Sequence, residues 1–345
     1  MRNYEVTIGI PVYNAEKYIQ KTLDSVLNQS FQDIEILLID DRGTDGTMDI
    51  VDEIKASHPR GKDIRIVAQP QNSGVAQARN RIIDEARGRY LYFLDSDDVI
   101  PVDCISLLHS TLKEHDAEVV FGSYEKIELF NNNPTPLLYQ YPKTVLSSED
   151  EFAEFAYRKY GGIQASACNY LISVDVLRSN NHKFINSKYW EDMVFTFDLA
   201  PLIKRAVVLP DITYSYLCHE NSLSNYQMRD SISKTEILNN VNSVEELKKT
   251  SKNLIGKSYL GNRCYNIVMT DFYIVCNAIK NKAIILPALS DKELKSFMRH
   301  PLTLWQILKL EKGRLKNLLL YLLGVIPAFL SLFIIKNAGK RKGLI

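Results

Sequence analysis

The sequence predicts an α/β protein: a doubly wound, mostly parallel sheet followed by a C-terminal helical extension. Two observations carry this. Across residues 6–94, short apolar runs alternate with helix-period segments on short links, the pattern of parallel strands joined by crossover helices. Two of those runs also end abruptly in carboxylates, at Asp40-Asp41 and at Asp95-Ser96-Asp97-Asp98. In an open parallel sheet the strand ends share one edge, and ligands bind just beyond the carboxyl ends.

Residues 6–13 form a first strand, in which Pro11 lacks an amide hydrogen, so pairing should stop there. Asn14 suits a helix N-cap, and after it Tyr18, Ile19, Leu23, Val26 and Leu27 share one helical face. Residues 34–39 are a second strand, and the loop Arg42-Gly43-Thr44-Asp45-Gly46 turns into a helix near 47–54. Residues 64–68 are a short third strand. Asn72-Ser73-Gly74 opens a helix over 75–87, and Tyr90-Leu91-Tyr92-Phe93-Leu94 is the central buried strand. Further on, 118–124 is a strand, 131–136 a loop, and 147–157 a helix in which Ser148 and Glu151 fit a capping box. Residues 206–209 and 213–217 read as two strands. From Ser231 the pattern turns helical, with Ile237, Val241, Val244 and Leu247 marking one amphipathic helix and Leu260, Cys264, Ile267, Phe272 and Val275 another.

A chain of 345 residues suggests about two domains. Apolar content of 46% and charged content of 24% are those of an ordinary globular protein. The net charge of +1 is unevenly spread: from Arg299 onward nine Lys or Arg face a single acid, Glu311, so that tail is +8 and residues 1–298 are −7. The larger part has no basic field for nucleic acid. Five scattered cysteines without C-x-x-C spacing read as buried thiols in a reducing compartment. Met1-Arg2-Asn3-Tyr4-Glu5 runs straight into a strand, which reads as no secretory signal.

The chemistry concentrates at the end of the central strand. Three carboxylates within four positions repel one another unless a cation sits among them, and hard divalent ions prefer such oxygens and bridge readily to phosphates. Arg79, on the third helix, is placed to meet a phosphate or a base; the alternative is a solvated helix charge. Trp190-Glu191-Asp192-Met193-Val194-Phe195 is a second landmark, either an acidic first helical turn complementing the helix dipole or a catalytic acid pair.

Four segments occur in order: Ile10-Pro11-Val12-Tyr13-Asn14, Asp40-Asp41-Arg42-Gly43-Thr44-Asp45-Gly46-Thr47, Asn72-Ser73-Gly74-Val75-Ala76-Gln77-Ala78-Arg79-Asn80, and Asp95-Ser96-Asp97-Asp98. Together they resemble the family 2 inverting glycosyltransferases of the GT-A fold, of the bacterial polysaccharide-biosynthesis type, over residues 4–225. The resemblance implies a nucleotide-diphospho-sugar donor, read here as a UDP-sugar, a divalent metal (Mn²⁺ or Mg²⁺) and inversion at the anomeric carbon. It implies that Pro11, Tyr13 and Asp41 line the nucleoside pocket, with Asp41 accepting from the uracil imide. It places Arg79, Asp95 and Ser96 on the donor and Asp97 on the metal. In Cys218-His219-Glu220-Asn221-Ser222, His219 holds the place of a phosphate-closing arginine; it touches phosphate or metal, or is an ordinary histidine. Asp192 takes the role of catalytic base, with Glu191 and Trp190 on the acceptor side, a region to which 166–171 also belongs. One departure is clear: the loop after the acidic pair usually reads Gly-Ser, and here it is Arg42-Gly43.

The expected layout is a GT-A nucleotide-sugar-binding and catalytic domain over 1–225, a helical extension over 226–300 and a basic, apolar tail over 301–345. In that tail, residues 318–335 are almost uniformly apolar, with Arg314 and Lys316 before them and Lys336, Lys340, Arg341 and Lys342 after. A straight helix of that length would reach about 27 Å, close to a hydrocarbon core of about 30 Å. Gly324 and Pro327 interrupt it, and basic flanks on both sides disfavour a clean crossing. The favoured reading is a broken, shallow insertion at the inner membrane leaflet; the others are a single span and a helix packed on the protein. That reading implies a cytoplasmic, peripherally associated enzyme and a glycan acceptor on a lipid carrier. Two competing functions are a nucleotidylyltransferase, whose Gly- and Lys-rich loop is missing from 11–15, and an inactive scaffold, which would not need Asp95, Asp97 and Asp192.

Overall fold

The computed structural model describes residues 4–129, 134–158, 162–164, 166–219 and 231–345. The chain divides into two compact units. The first comprises residues 1–152, 165–188 and 199–225, and the second 153–164, 189–198 and 226–345.

The first unit is built on β1 (Tyr4–Val12), α1 (Ile19–Leu27), β2 (Ile34–Asp40), α2 (Thr47–Ser57), β3 (Ile64–Ala68), α3 (Val75–Glu85), β4 (Gly88–Phe93), α4 (Cys104–Glu114) and β5 (Val119–Glu128). After these come β6 (Leu137–Tyr139), β7 (Thr144–Leu146), α5 (Glu151–Ala156), β8 (Tyr170–Ser173), α6 (Val174–Ser179), α7 (Glu191–Leu199) and β9 (Ala206–Cys218). Of these, most of α5 and of α7 belongs to the second unit. The sheet runs β3-β2-β1-β4-β8-β5-β9-β7, with β6 on β5. β3, β2, β1 and β4 are mutually parallel, as are β5 and β9, whereas β8 enters antiparallel between β4 and β5. All seven residues of β2 are buried, the mark of a strand covered on both faces.

Three local expectations are corrected. Pro11 does not end β1: it pairs with Ile39 of β2, while pairing with β4 stops at Gly9. A proline lacks one amide only, and that amide position points to the side where β4 has already ended. Asn14 does not cap α1, which begins at Ile19 after a turn closed on the Ala15 carbonyl. Asn14 takes φ +49° and its Oδ1 accepts from the Thr44 amide at 2.7 Å, so it pins the loop after β2 instead. The segment 206–217 is one strand through Pro210, not two; the register against β5 shifts between Phe121 and Ser123 to absorb the irregularity. Gly122 allows it, since a Cβ there would lie 1.8 Å from Thr213 Oγ1.

The second unit gathers β10 (Ile232–Ser233), α8 (Lys234–Ser251), α9 (Leu260–Lys280), β11 (Ile285–Leu286), α10 (Asp291–Phe297), α11 (Leu304–Leu308), α12 (Arg314–Val325) and α13 (Ala328–Arg341). Its core includes Leu260, Cys264, Leu302 and Ile307. Arg263 of α9 is fully buried and holds together α8, α7 and the chain after α5. It donates to Ser251 Oγ (2.9 Å), Thr250 Oγ1 (2.9 Å), the Phe197 carbonyl (2.9 Å), Tyr157 Oη (2.6 Å) and Asp198. The break expected near Pro327 is present between α12 and α13. No helix among the described residues is long and apolar enough to cross a membrane.

Candidate active site

The carboxyl ends of β1, β2 and β4 meet at one edge of the first unit's sheet, and three loops are laced together there. The loop after β2 is tied to the loop after β1: Ala15 N donates to Thr47 Oγ1 at 2.8 Å and Glu16 N to Asp45 Oδ2 at 3.1 Å. A Cβ on Gly43 would lie 2.9 Å from the Asn14 amide, so the glycine at that position permits the close approach. Arg42 adopts φ +60°, a left-handed conformation that suits glycine better. Its amide donates to Asp40 Oδ1 at 2.8 Å and its Nε to the Gln69 carbonyl at 2.6 Å, and these bonds hold the turn. Here lies the physical content of the Arg42-Gly43 departure.

Asp41 is buried and clamps the third loop: Oδ1 accepts from Ser73 N and Oδ2 from Gly74 N, each at 2.8 Å. Gly74, at φ +85°, then starts α3. One turn on, Arg79 is buried, so the alternative of a solvated helix charge does not hold. Its Nη2 donates to Asp95 Oδ1 at 2.6 Å and its guanidinium lies 5.6 Å over the Phe184 ring. Asn80 beside it exchanges hydrogen bonds of 2.8 and 2.9 Å with the Phe184 backbone, fixing that ring.

The acidic tip is anchored from two sides. Thr22 Oγ1 of α1 donates to the Ser96 carbonyl (3.0 Å) and the Asp98 carbonyl (2.8 Å). Asp98 is buried, accepts from the Leu217 amide at 2.7 Å and from the Tyr214 hydroxyl, and so latches the tip to β9. Burial pushes its carboxyl well up, with Asp97 and Asp95 adding to it. Asp95 and Asp97 remain partly accessible. Burial and then the charge of Asp95 push the Asp97 carboxyl up to about 6. His219, the last described residue of its segment, stacks on Tyr18 with ring centroids 4.0 Å apart and is hydrogen-bonded to the Asp97 backbone; burial lowers its pKa. The rest of its motif, Glu220 onward, lies outside the described residues.

The first unit thus brings together Pro11, Tyr13, Asp41, Arg79, Asp95, Ser96, Asp97 and His219. Pro11 is buried at the end of β1 and Tyr13 is exposed just beyond it. Trp190, Glu191 and Asp192 belong to the second unit. Trp190 takes φ +60° immediately before α7, an uncommon conformation for a bulky residue. Glu191 is buried, and Asp192 Oδ1 accepts from the Met193 amide at 2.7 Å. Asn169, in the stretch assigned to the acceptor side, is an internal bracket: its Nδ2 donates to the Gly122 carbonyl at 2.5 Å and its Oδ1 accepts from Thr213 Oγ1 at 2.6 Å. The residues that sequence reasoning missed are Thr22, Asn80, Asp98 and Tyr214; only the acidity of Asp98 was visible beforehand.

The sequence profile described as glycosyl transferase family 2 matches residues 7–179. The chain belongs to that family. Among curated glycosyltransferases, GlyG of Streptococcus pneumoniae serotype 4 is 34% identical over 128 residues, 37% of this chain and 42% of that protein. The poly(ribitol-phosphate) beta-glucosyltransferase of Bacillus spizizenii is 29% identical over 217 residues, 62% of this chain and 32% of that one. The matched stretch is thus less than half the length of either relative. The crystal structure of S. aureus TarS 1–349 in complex with UDP-GlcNAc covers 98% of this chain and 92% of that chain, with a TM-score of 0.69 at 17% identity. That likeness establishes the fold: a GT-A sheet, as the four motifs implied, followed by C-terminal helices.

Proposed function

We propose that this family 2 protein is an inverting glycosyltransferase that moves a sugar from a UDP-sugar to a glycan acceptor in surface polysaccharide synthesis. The observation that carries the reading is the meeting of the Asp95–Asp98 tip, Arg79, His219 and the Asp41-clamped loop at one carboxyl edge of the sheet. Two relatives' names add support: TarS, of the same fold, holds UDP-GlcNAc, and a curated relative glucosylates poly(ribitol phosphate).

Tyr13 offers an exposed ring to a base. Asp41 keeps lone pairs beyond those used by the Ser73 and Gly74 amides, enough to accept from a uracil imide. Arg79 and the Asp95–Ser96 stretch receive the ribose and diphosphate. Among the described residues no three His, Cys, Asp or Glu side chains form a ready-made metal cage. The donor set still fits a hard divalent ion, because Mg²⁺-type sites use one or two carboxylates with substrate phosphates and water, and the raised Asp97 carboxyl is one a cation would relieve. Asp97, with His219 beside it, would hold Mn²⁺ or Mg²⁺, which supplies neutralisation of the departing diphosphate.

A sugar hydroxyl is a poor nucleophile, and inversion requires a base opposite the leaving group. We assign that base to Asp192, whose carboxylate takes the hydroxyl proton, with Glu191 and Trp190 on the acceptor. The acceptor is a lipid-linked glycan, and the enzyme works in the cytoplasm at the inner membrane leaflet. The test is UDP release from UDP-sugars with Mn²⁺. Asp192→Asn should cut transfer by about 10²–10⁴-fold and leave UDP affinity unchanged. A fall in both together, or in neither, would remove Asp192 from the role.

A further inference from the structure

The last two helices bury polar groups beside Leu320, Leu323 and Ile335 while leaving large apolar side chains exposed. On α12 the buried side contains Asn317, and on α13 it contains Ser331 and Gly339. These polar groups are bonded inward: Asn317 Nδ2 donates to the Gly261 carbonyl at 2.8 Å, its Oδ1 meets His300 Nε2 at 3.0 Å, and Ser331 Oγ donates to the Leu323 carbonyl at 2.8 Å. Much of the outward side is apolar. Leu315, Leu319, Leu322 and Val325, spaced four, three and three residues apart, form one stripe on α12. Leu315 is 69% exposed, and on α13 Phe329 and Phe333, four residues apart, are 75% and 66% exposed. Trp305 of α11, which packs against α12, is 67% exposed. Single exposed apolar residues need no explanation, but a run of them across neighbouring helices marks a binding surface.

Exposed cations are interleaved with that surface: Lys309, Arg314, Lys316, Lys336, Lys340 and Arg341. Lys309 Nζ lies 5.2 Å over the Trp305 ring, and Lys316 Nζ lies 5.4 Å over Tyr265. Lys312 is occupied by Glu154 at 2.9 Å. An aromatic and aliphatic face rimmed by cations matches the acyl–headgroup boundary of an anionic bilayer. A second copy matches it less well, since an isologous contact would set these cations against themselves. Neither helix is long enough to cross.

We propose that the outward face of α11, α12 and α13 lies on an anionic phospholipid surface, with Trp305, Leu315, Leu319, Phe329 and Phe333 entering the boundary and the cations meeting lipid phosphates. This deepens the acceptor side of the function proposed above and rests on that reading for its purpose, though the lipid contact itself does not require catalysis.

The test is flotation of the full chain with phosphatidylcholine vesicles, with and without phosphatidylglycerol. The protein should float with the phosphatidylglycerol vesicles only, and release with rising salt. The exposed double variant F329S/F333S should bind at least about tenfold more weakly, with thermal unfolding and UDP binding unchanged. K336E/K340E, also at exposed positions, should reduce binding and flatten the salt dependence. Equal binding to neutral vesicles, no binding to either, or wild-type binding by both variants would overturn the proposal. So would self-association without lipid that F329S/F333S abolishes, which would assign the face to a second copy. Flotation without sugar transfer would keep this surface and remove the functional reading instead.

Discussion

Arg263 and Arg79 are both buried guanidiniums, one in each unit, and their surroundings differ in kind. Arg263 is enclosed by one carboxylate, two carbonyls and three hydroxyls that it bonds directly, and the Tyr157 and Phe197 rings lie beneath it. Its charge and donors are matched locally, which is what a structural hub requires. Arg79 bonds Asp95 but faces a tip that also carries Asp97 and Asp98. Asp98 is latched to β9, but Asp95 and Asp97 still outnumber the one cation at the open edge of the sheet. A fold keeps such an imbalance where a positively charged ligand is to enter. The same residue types thus build a closed network in one unit and an unfinished one in the other.

The comparison breaks most readily at the hub. Arg263→Met leaves the Asp198 carboxylate without its cation, with only the Thr250 hydroxyl, among the described residues, still bonded to it, and should cost about 3–5 kcal/mol, seen as a fall of roughly ten degrees in the unfolding midpoint. UDP binding below that temperature should be retained, because the acidic tip lies in the other unit. Wild-type stability in this variant would show that the network is not a hub.

A smaller effect sharpens the contrast. Asp97 and Asp271 are both carboxyls raised by burial, to about 6 and about 7. Asp271 already has a partner, the buried Lys248 Nζ at 2.8 Å. The folded value of Asp97 lies above its ordinary 3.8, so its protonated form favours the fold; that contribution is complete below about pH 4 and lost as pH rises through about 6. Carboxyl-carbon NMR titration with Mg²⁺ and UDP should lower the Asp97 value by at least about one unit and leave Asp271 in place. Movement of both, or of neither, would erase the distinction between the regions.

Much of the first unit was legible because its signals are local. Strand runs, Gly74 and the acid-ended strands β2 and β4 need only neighbours in sequence to be read. What was hidden depends on distant partners. Asp98 meets Tyr214 across 116 positions, and Asp41 meets Gly74 across 33. Asn14 looked like a helix cap because capping chemistry is short-range, yet the better donor came from Thr44. The apolar tail was visible as composition alone. That Asn317 and Ser331 turn inward while Phe329 and Phe333 turn outward follows from packing, which no periodicity reveals.

The central claim is that the acidic tip grips a nucleoside diphosphate through a divalent cation held at Asp97. Calorimetric titration of UDP into the wild type and Asp97→Asn, each with Mn²⁺ and with a chelator, tests it directly. The account predicts binding that depends on Mn²⁺ and weakens at least about tenfold in the variant. Equal affinity with the chelator present, or in Asp97→Asn, would contradict it.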